Sequence, residues 1–202
     1  MISISAPNVL PAWLQETEGI LQEMVRAGAV FTDGQTLQMG WMWFTFLEVE
    51  GKLCLHGPEA GTMPFRMTRD CSEALTTVMM QKFVNESFGA ALTECDACQS
   101  AILLKGLDRK DGLFMNRLEA ANGSDSGWFI GAQRGDRDVN APGNLERRSL
   151  WEISCLFPES LYFWMLPRSW QVVFADIPVV LADFQVKPAL PGSLFALKYA
   201  GA

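Results

Sequence analysis

The sequence predicts an α+β fold in two small subdomains, each a mainly antiparallel sheet with packed helices. A chain of 202 residues with 49% hydrophobic residues is long and apolar enough to fill a sizeable core. Helical and strand periodicities occur in both halves without a fixed repeat. The pattern changes after a connection at residues 90–98. We therefore predict an acidic N-terminal subdomain over 1–94 and a second subdomain over 95–202.

The first predicted element is an amphipathic helix over residues 8–27. Asn8 is the expected N-cap, Pro11 is tolerated in the first turn because amides there lack partners, and Gly28 is placed to end the helix. Its apolar positions recur at helical spacing, at Leu10, Trp13, Leu14, Thr17, Ile20, Leu21, Met24 and Val25.

Residues 36–57 are rich in aromatic and β-branched side chains and predict strands that turn near Gly51. Apolar residues occupy both alternating faces, so the strand is expected to be central or covered on both sides. A second helix is predicted over about 71–87, where Asp70 and Glu73 have the spacing of a capping box.

The second half predicts short strands with one helix. Two strands flank the turn "DRKDG", and "SGWFIGAQ" predicts a third. The segment "NLERRSLWEISCLF" predicts a strand followed by a helix that ends before Pro158. The last predicted strand, in "SWQVVFADIPVVLADF", is broken by Asp176 and Pro178.

The formal charge of −7 is carried entirely by the first half. Residues 1–100 contain twelve acidic and five basic side chains, whereas residues 101–202 contain eleven of each. This imbalance disfavours nucleic acid as a ligand and, if the acids share a face, attracts a basic partner; solubility alone explains it equally well. The candidate partner-binding residues are Glu16, Glu18, Glu23, Glu48, Glu50 and Glu59.

Cysteine and histidine usage predicts no metal site, no cofactor and no enzymatic activity. The five cysteines include one CxxC pair, Cys95 and Cys98, which has no second pair to complete a zinc site. We expect structural thiols. The single histidine, His56, is expected in a turn or at the surface and not as a base. No carboxylate pair has a motif suited to acid and base chemistry.

The segment "SDSGWFIGAQRGDRDVN" at residues 124–140 suggests a calcium-binding loop or a phosphate-binding loop, and the sequence supports neither hypothesis. A calcium loop that starts at Asp136 would have Ala141 where glycine is needed and Arg147 where a bidentate glutamate is needed. Its glycines match neither of the phosphate-binding loop motifs, and no helix follows directly. The segment therefore predicts a strand followed by a charged turn, with Trp128 as a packing residue.

No basic or apolar export segment is recognised at the start, and the apolar stretches are too short to cross a bilayer. We therefore expect a cytoplasmic protein with no membrane partner.

The segment "DSGWF" contains Asp125, Ser126, Gly127 and Trp128, which are expected to be structural. Through this motif above all, residues of about 98–184 resemble the immunity protein 33-like domain family, formerly a domain of unknown function. Two departures occur: Arg168, Ser169 and Trp170 replace the family's proline and glycine, and the helix before Phe157 and Pro158 is longer than usual. Other matching residues are Lys105, Met115, Arg117, Gly135, Asp136 and Phe174.

The resemblance implies a bacterial immunity protein that binds and neutralises a cognate toxin, such as a type VI secretion effector. An acidic antidote suits a basic toxin, and a nuclease is the favoured class because nucleases are often basic. Two alternatives stay open. One is an adaptor or chaperone that binds an effector without inhibiting it, and the other is a ligand-binding domain or small enzyme that uses a pocket beneath Trp128.

Overall fold

The computed structural model describes residues 2–120, 122–135 and 137–199 and divides into two compact units, Met1–Met80 and Gln81–Ala202. Both units combine helices with a sheet, which confirms the predicted α+β class. The domain boundary predicted between residues 94 and 95 stays a prediction.

The first unit contains a five-stranded sheet and two helices, the second of which continues into the other unit. The main strand order is β1-β4-β3-β2; β5 pairs with β4, and only β1 runs parallel to its neighbour. The bounds are β1 Ile2–Ser3, α1 Pro11–Arg26, β2 Thr36–Met39, β3 Met42–Val49, β4 Lys52–Pro58, β5 Met67–Thr68 and α2 Ser72–Ser87.

At the two ends of α1, the predicted start was partly wrong and the predicted end at Gly28 was right. Leu10 is the N-cap and Pro11 occupies the first turn, so the prediction of Asn8 as N-cap was wrong. The first turn of a helix tolerates a proline, because the amide hydrogen that proline lacks would have no partner within the helix. At the other end Gly28, with φ 98°, donates its amide to Val25, and Ala29 donates to Met24, which is a Schellman motif.

The predicted hairpin forms between β3 and β4, with Glu50 and Gly51 at positive φ in its two-residue turn. The sequence reading missed a second turn at Gly40, which separates β2 from β3. In β3, Met42, Phe44 and Phe46 are buried on one face, which ends at the exposed Glu48, while the opposite face is half-buried. The strand is central, but only one of its faces is fully covered.

The second unit contains a seven-stranded sheet and two further helices. The strand order is β12-β11-β10-β7-β8-β6-β9, and only β6 and β8 are parallel neighbours. The two strands around "DRKDG" do not pair, because β8 lies between them. The bounds are β6 Ser100–Leu104, β7 Leu113–Arg117, β8 Asp125–Ala132, β9 Leu145–Ser149, α3 Leu150–Leu156, β10 Trp170–Val173, β11 Val179–Ala182, β12 Gln185–Val186 and α4 Leu194–Tyr199.

Strand β8 lies inside this sheet, with β7 antiparallel on one side and β6 parallel on the other. Helix α3 begins with a capping box: Ser149 accepts the amide of Glu152, whose carboxylate accepts the amide of Ser149. Hydrogen bonds from Ser149 hold the pKa of Glu152 below its usual value. The "DSGW" segment lies at the start of β8, where Ser126, Gly127 and Trp128 are buried and Asp125 is half-buried.

Candidate functional site

The first two residues of the family motif tie the start of β8 to β6. Asp125 Oδ1 accepts the amide of Gly127 at 3.0 Å, as in an Asx-turn. The Ser126 hydroxyl donates to the carbonyl of Ser100 at 2.8 Å and accepts the amide of Trp128 at 3.2 Å. Both side chains are thereby used in local backbone hydrogen bonds, which fix the entry of the chain into the strand.

Gly127 occupies a position that other residues cannot take. Its φ is 78°, in the left-handed region, and a Cβ there would overlap the carbonyl oxygen of Leu118. The amide of Leu118 donates to the carbonyl of Gly127 at 2.7 Å, so the two backbones must approach closely. The glycine of the motif is therefore required by both conformation and space.

Trp128 is a buried packing residue, with 1% of its surface exposed. Its indole Nε1 donates to the carbonyl of Trp164 at 3.0 Å, and the two rings meet edge to face at 5.7 Å. The indole of Trp164 donates in turn to the Ser154 hydroxyl at 2.8 Å. Because both indole N–H groups have partners, the two rings can be buried without an unsatisfied donor.

Arg117 lies opposite Trp128 in the pairing of β7 with β8 and is only 2% exposed. Among the described residues it forms no salt bridge. Burial is the main reason that its pKa lies below the usual value. Its guanidinium is 5.6 Å from the Trp128 ring centre and donates to five backbone carbonyls, those of Thr93, Glu94, Ser126, Trp164 and Leu166.

Sequence reasoning missed Trp164 as the partner that joins these residues. Its carbonyl accepts hydrogen bonds from Arg117, Trp128 and the thiol of Cys95. Since the acceptor is a backbone oxygen, no residue type in the sequence could have signalled it. The Cys95 thiol is buried, which raises its pKa to about 12. The motif, Arg117 and Trp164 together form the motif cluster.

A small cavity of about 230 Å³ lies beside the motif cluster. Its lining includes Asp125, Ser126 and Arg117 together with Gln99 and Arg168. Trp128 is not among its lining residues, so the cavity differs from the pocket expected beneath that ring. Every hydrogen bond described for Arg117 goes to the protein's own backbone, which leaves its guanidinium committed to the fold.

The other residues that carry the resemblance have separate surroundings. Met115 is fully buried, Lys105 donates to the carbonyl of Gly143 at 2.8 Å, and Phe174 meets Phe163 edge to face at 5.5 Å. Asp136, which figures in the rejected calcium reading and in the resemblance, lies outside the described residues.

The candidate partner-binding acids occupy several places in the first unit. Glu18 and Glu48 line the same hollow, whereas Glu16 and Glu23 lie one heptad apart on a different face of α1. These four carboxylates are exposed. The last two candidates are Glu50, exposed in the hairpin turn, and Glu59, half-buried just after β4.

None of the five cysteines is in a disulfide, and Cys54, Cys71 and Cys95 are buried. Burial raises the pKa of the Cys71 thiol to about 12. His56 is also buried, within β4, with Nδ1 3.3 Å from the carbonyl oxygen of Cys54. The expectation of a turn or surface histidine was therefore wrong: β4 continues through His56 to Pro58, and its residues from Cys54 onward are buried.

The described residues include no cluster of three or more histidine, cysteine, aspartate or glutamate side chains that could hold a metal ion. No helix in the described part of the chain is long and apolar enough to cross a membrane.

Residues 80–183 match the family model described as the Imm33-like domain. The chain belongs to this family. Comparisons with curated proteins and with solved structures gave no match. The match begins within α2 and ends after β11, so it contains the whole motif cluster. The predicted resemblance is confirmed, and an Imm33-like domain is the domain of an immunity-protein family whose members have a cognate toxin as partner.

Proposed function

We propose that this Imm33-like protein binds a cognate bacterial toxin in the cytoplasm and neutralises it without catalysing a reaction. The observation that carries the proposal is family membership over residues 80–183. The inward orientation of the motif supports it, because Trp128 and Arg117 are at most 2% exposed and build the fold. An inhibitor of this kind needs a stable scaffold and a complementary surface, and no reactive group.

We further propose that the toxin is basic, that it is a type VI secretion effector, and that it is a nuclease. The net charge of −7, which comes from residues 1–100, favours a basic partner. Complementary charge raises the association rate, and a fast inhibitor limits damage to the host cell. The acidic residues proposed to meet the toxin are Glu16, Glu18, Glu23, Glu48, Glu50 and Glu59.

Coexpression with the candidate toxin encoded beside this protein's gene tests the proposal. The expected result is a stable complex after copurification and survival of cells that die when they express the toxin alone. Absence of both a complex and protection would contradict it. An adaptor or chaperone would instead give a stable complex and increase toxin accumulation, while the purified toxin kept its activity in the complex.

A ligand-binding function is the second candidate, and the cavity of about 230 Å³ beside the motif cluster favours it. Thermal denaturation in the presence of nucleotides or divalent metal ions would detect such a ligand, because binding to the folded state alone raises the melting temperature. A dose-dependent rise that is abolished by Gln99→Ala, at the cavity wall, would support this function. Unchanged melting temperatures throughout would leave the toxin-binding proposal as the better account.

A further inference from the structure

Helix α1 leaves much of its apolar face uncovered. Among its residues only Thr17 and Leu21 are buried, while Val25 is 49% exposed. A groove of about 780 Å³ follows this face, lined by Leu21 and Val25 from the helix and by Ile4, Val30, Phe31 and Leu53 from the rest of the first unit. Exposed apolar surfaces of this kind, bordered by polar residues, mark interaction sites in soluble proteins.

The groove continues into an acidic hollow of about 860 Å³. Glu18, Asp33 and Glu48 line this hollow together with one cation, Lys52. Within the described residues, neither Glu18 nor Glu48 forms a salt bridge. Asp33 accepts the backbone amide of Glu48 at 2.7 Å, which holds the two carboxylate-bearing segments together. The hollow therefore offers negative charge at one end of an apolar groove.

Strand β1 forms one border of both spaces and is an edge of the sheet. Its described strand partner is β4, on one side, and Ile2, Ser3 and Ile4 line the acidic hollow. An edge strand carries backbone N–H and C=O groups that can pair with another extended chain. Apolar groove, acidic end and sheet edge thus lie at one place in the first unit.

We propose that this groove binds an extended segment of the toxin, which adds as a strand beside β1. Aliphatic side chains of the segment pack in the groove, and its lysine or arginine side chains enter the acidic hollow. Strand addition obtains affinity from backbone hydrogen bonds and specificity from pockets for alternate side chains. The inference rests on the proposed function and narrows its interface from six dispersed acids to the region around Glu18 and Glu48.

Charge selects this occupant over a second copy of the chain. The groove lining holds both Glu18 and Arg26, but each copy carries a formal net charge of −7, so two copies repel each other whereas a basic segment is attracted. A monomer by size-exclusion chromatography with light scattering is therefore expected for the free protein. A dimer that the Glu18→Lys, Glu48→Lys double variant strengthens would identify the groove as a self-association surface and overturn the proposal.

Binding of the purified toxin domain encoded beside the gene tests the acidic hollow. The Glu18→Lys, Glu48→Lys double variant is expected to weaken binding at least about tenfold, because two favourable charges become repulsive. The matched control is Glu23→Lys, Glu59→Lys, which changes the net charge equally outside the groove. Equal weakening by both pairs would show that only total charge matters and would overturn the assignment.

The apolar part of the groove has its own matched pair on α1. Val25 lines the groove and is 49% exposed, whereas Ile20 is 44% exposed and is not among the lining residues. Val25→Asp is expected to weaken toxin binding about tenfold or more, and Ile20→Asp about threefold or less. Both should lower the melting temperature by similar, small amounts, because each residue is about half exposed.

Hydrogen exchange tests strand addition directly. In the complex, outward-facing backbone amides of residues 2–4 are expected to exchange at least about tenfold more slowly than in the free protein, because new ladder hydrogen bonds protect them. Ser5 is left out of this set because it already bridges to Asp70. The opposite edge, β2, serves as the control and should be unchanged. Protection at β2 without protection at residues 2–4 would overturn the proposed mode.

The experiments distinguish an error in the groove assignment from an error in the proposed function. If the parent protein neither binds the toxin nor protects cells, the proposed function fails and the groove assignment fails with it. If the parent protein binds but the groove variants bind equally well, only the groove assignment fails. Phe184, 72% exposed in the turn between β11 and β12, is an alternative contact residue for the toxin. Loss of binding in Phe184→Asp, with normal binding by the groove variants, would show that the groove assignment is wrong and that the toxin binds at this turn.

Discussion

The motif cluster of the second unit and the groove of the first use apolar and charged residues in opposite ways. In the motif cluster Arg117 and Trp128 are buried and hydrogen-bonded to backbone carbonyls. In the groove Glu18 and Val25 are exposed, and the carboxylate forms no salt bridge within the described residues.

This difference separates the residues that identify the family from the residues proposed to identify the toxin. The family match covers residues 80–183, whereas every described residue that lines the groove precedes residue 54. A shared scaffold can thus be combined with a first unit that suits a particular partner. The comparison predicts that changes in the motif cluster affect stability, while changes in the groove affect binding.

The largest stability loss is expected for Arg117→Met, which leaves five carbonyl acceptors without their buried donor. We expect the free energy of unfolding to fall by about 4 kcal/mol or more. Arg109→Met is the control, because Arg109 has a 57% exposed side chain in a salt bridge with Glu159, and should lose at most about 1 kcal/mol. Urea denaturation measures both, and equal losses would contradict the motif cluster's structural role.

Trp128→Ala should destabilise the protein by about 3 to 5 kcal/mol, because a fully buried indole is removed. Trp128→Phe keeps most of the packing and removes the hydrogen bond to Trp164, so a smaller loss of about 1 to 2 kcal/mol is expected. Denaturant titrations followed by circular dichroism measure the losses. A Trp128→Ala protein that stays fully stable but loses toxin binding would reassign this residue to the interface.

Gly127→Ala should cost about 2 to 3 kcal/mol, since alanine resists the left-handed backbone and its Cβ would overlap the Leu118 carbonyl. Gly123→Ala is the matched control: a Cβ there meets nothing within 4 Å, and it should stay within about 0.5 kcal/mol of the parent. The melting temperatures of the two variants provide the comparison. Similar values would remove backbone conformation as the reason for the motif glycine.

The smallest effect is expected from the buried thiols of Cys71 and Cys95, whose pKa values are raised from 9.0 to about 12. A raised pKa means that the folded state keeps protons which the unfolded state releases. The resulting stabilisation is fully present below pH 9 and is lost progressively as the pH rises toward 12. At pH 10 the loss is about 1 kcal/mol per thiol.

Replacing both thiols, as Cys71→Ala with Cys95→Ala, isolates this effect from the titration of lysines and tyrosines. The double variant should lose less stability between pH 8 and pH 10 than the parent does, as measured by denaturant titration at each pH. If the free energy of unfolding fell equally with pH in the parent and the double variant, the two thiols would ionise equally in the folded and unfolded states.

Local signals in the sequence were sufficient for most elements. Gly28 ends α1 and Gly51 lies in the turn between β3 and β4, and both adopt positive φ, which glycine does without steric cost. Pro11 fixed the start of α1 more strongly than the polar Asn8 did. The motif "DSGW" was recognisable because its glycine and aspartate serve backbone geometry within a few residues.

The rest depended on contacts between distant parts of the chain. The parallel pairing of β6 with β8 and the three donors at the Trp164 carbonyl are tertiary features without a local pattern. Arginine is usually exposed, so nothing in the sequence predicted burial of Arg117. Likewise, the sequence predicted Glu18 and Glu48 as two of six partner-binding acids, but only the fold shows that these two line the same hollow.

The most direct test is a paired measurement of melting temperature and toxin affinity for two variants. Trp128→Phe should lower the melting temperature while the folded protein keeps the parent affinity for the toxin. The Glu18→Lys, Glu48→Lys double variant should keep the melting temperature while its affinity falls at least about tenfold. The reverse pattern, with affinity lost in Trp128→Phe and kept in the double variant, would contradict the separation of scaffold and binding surface.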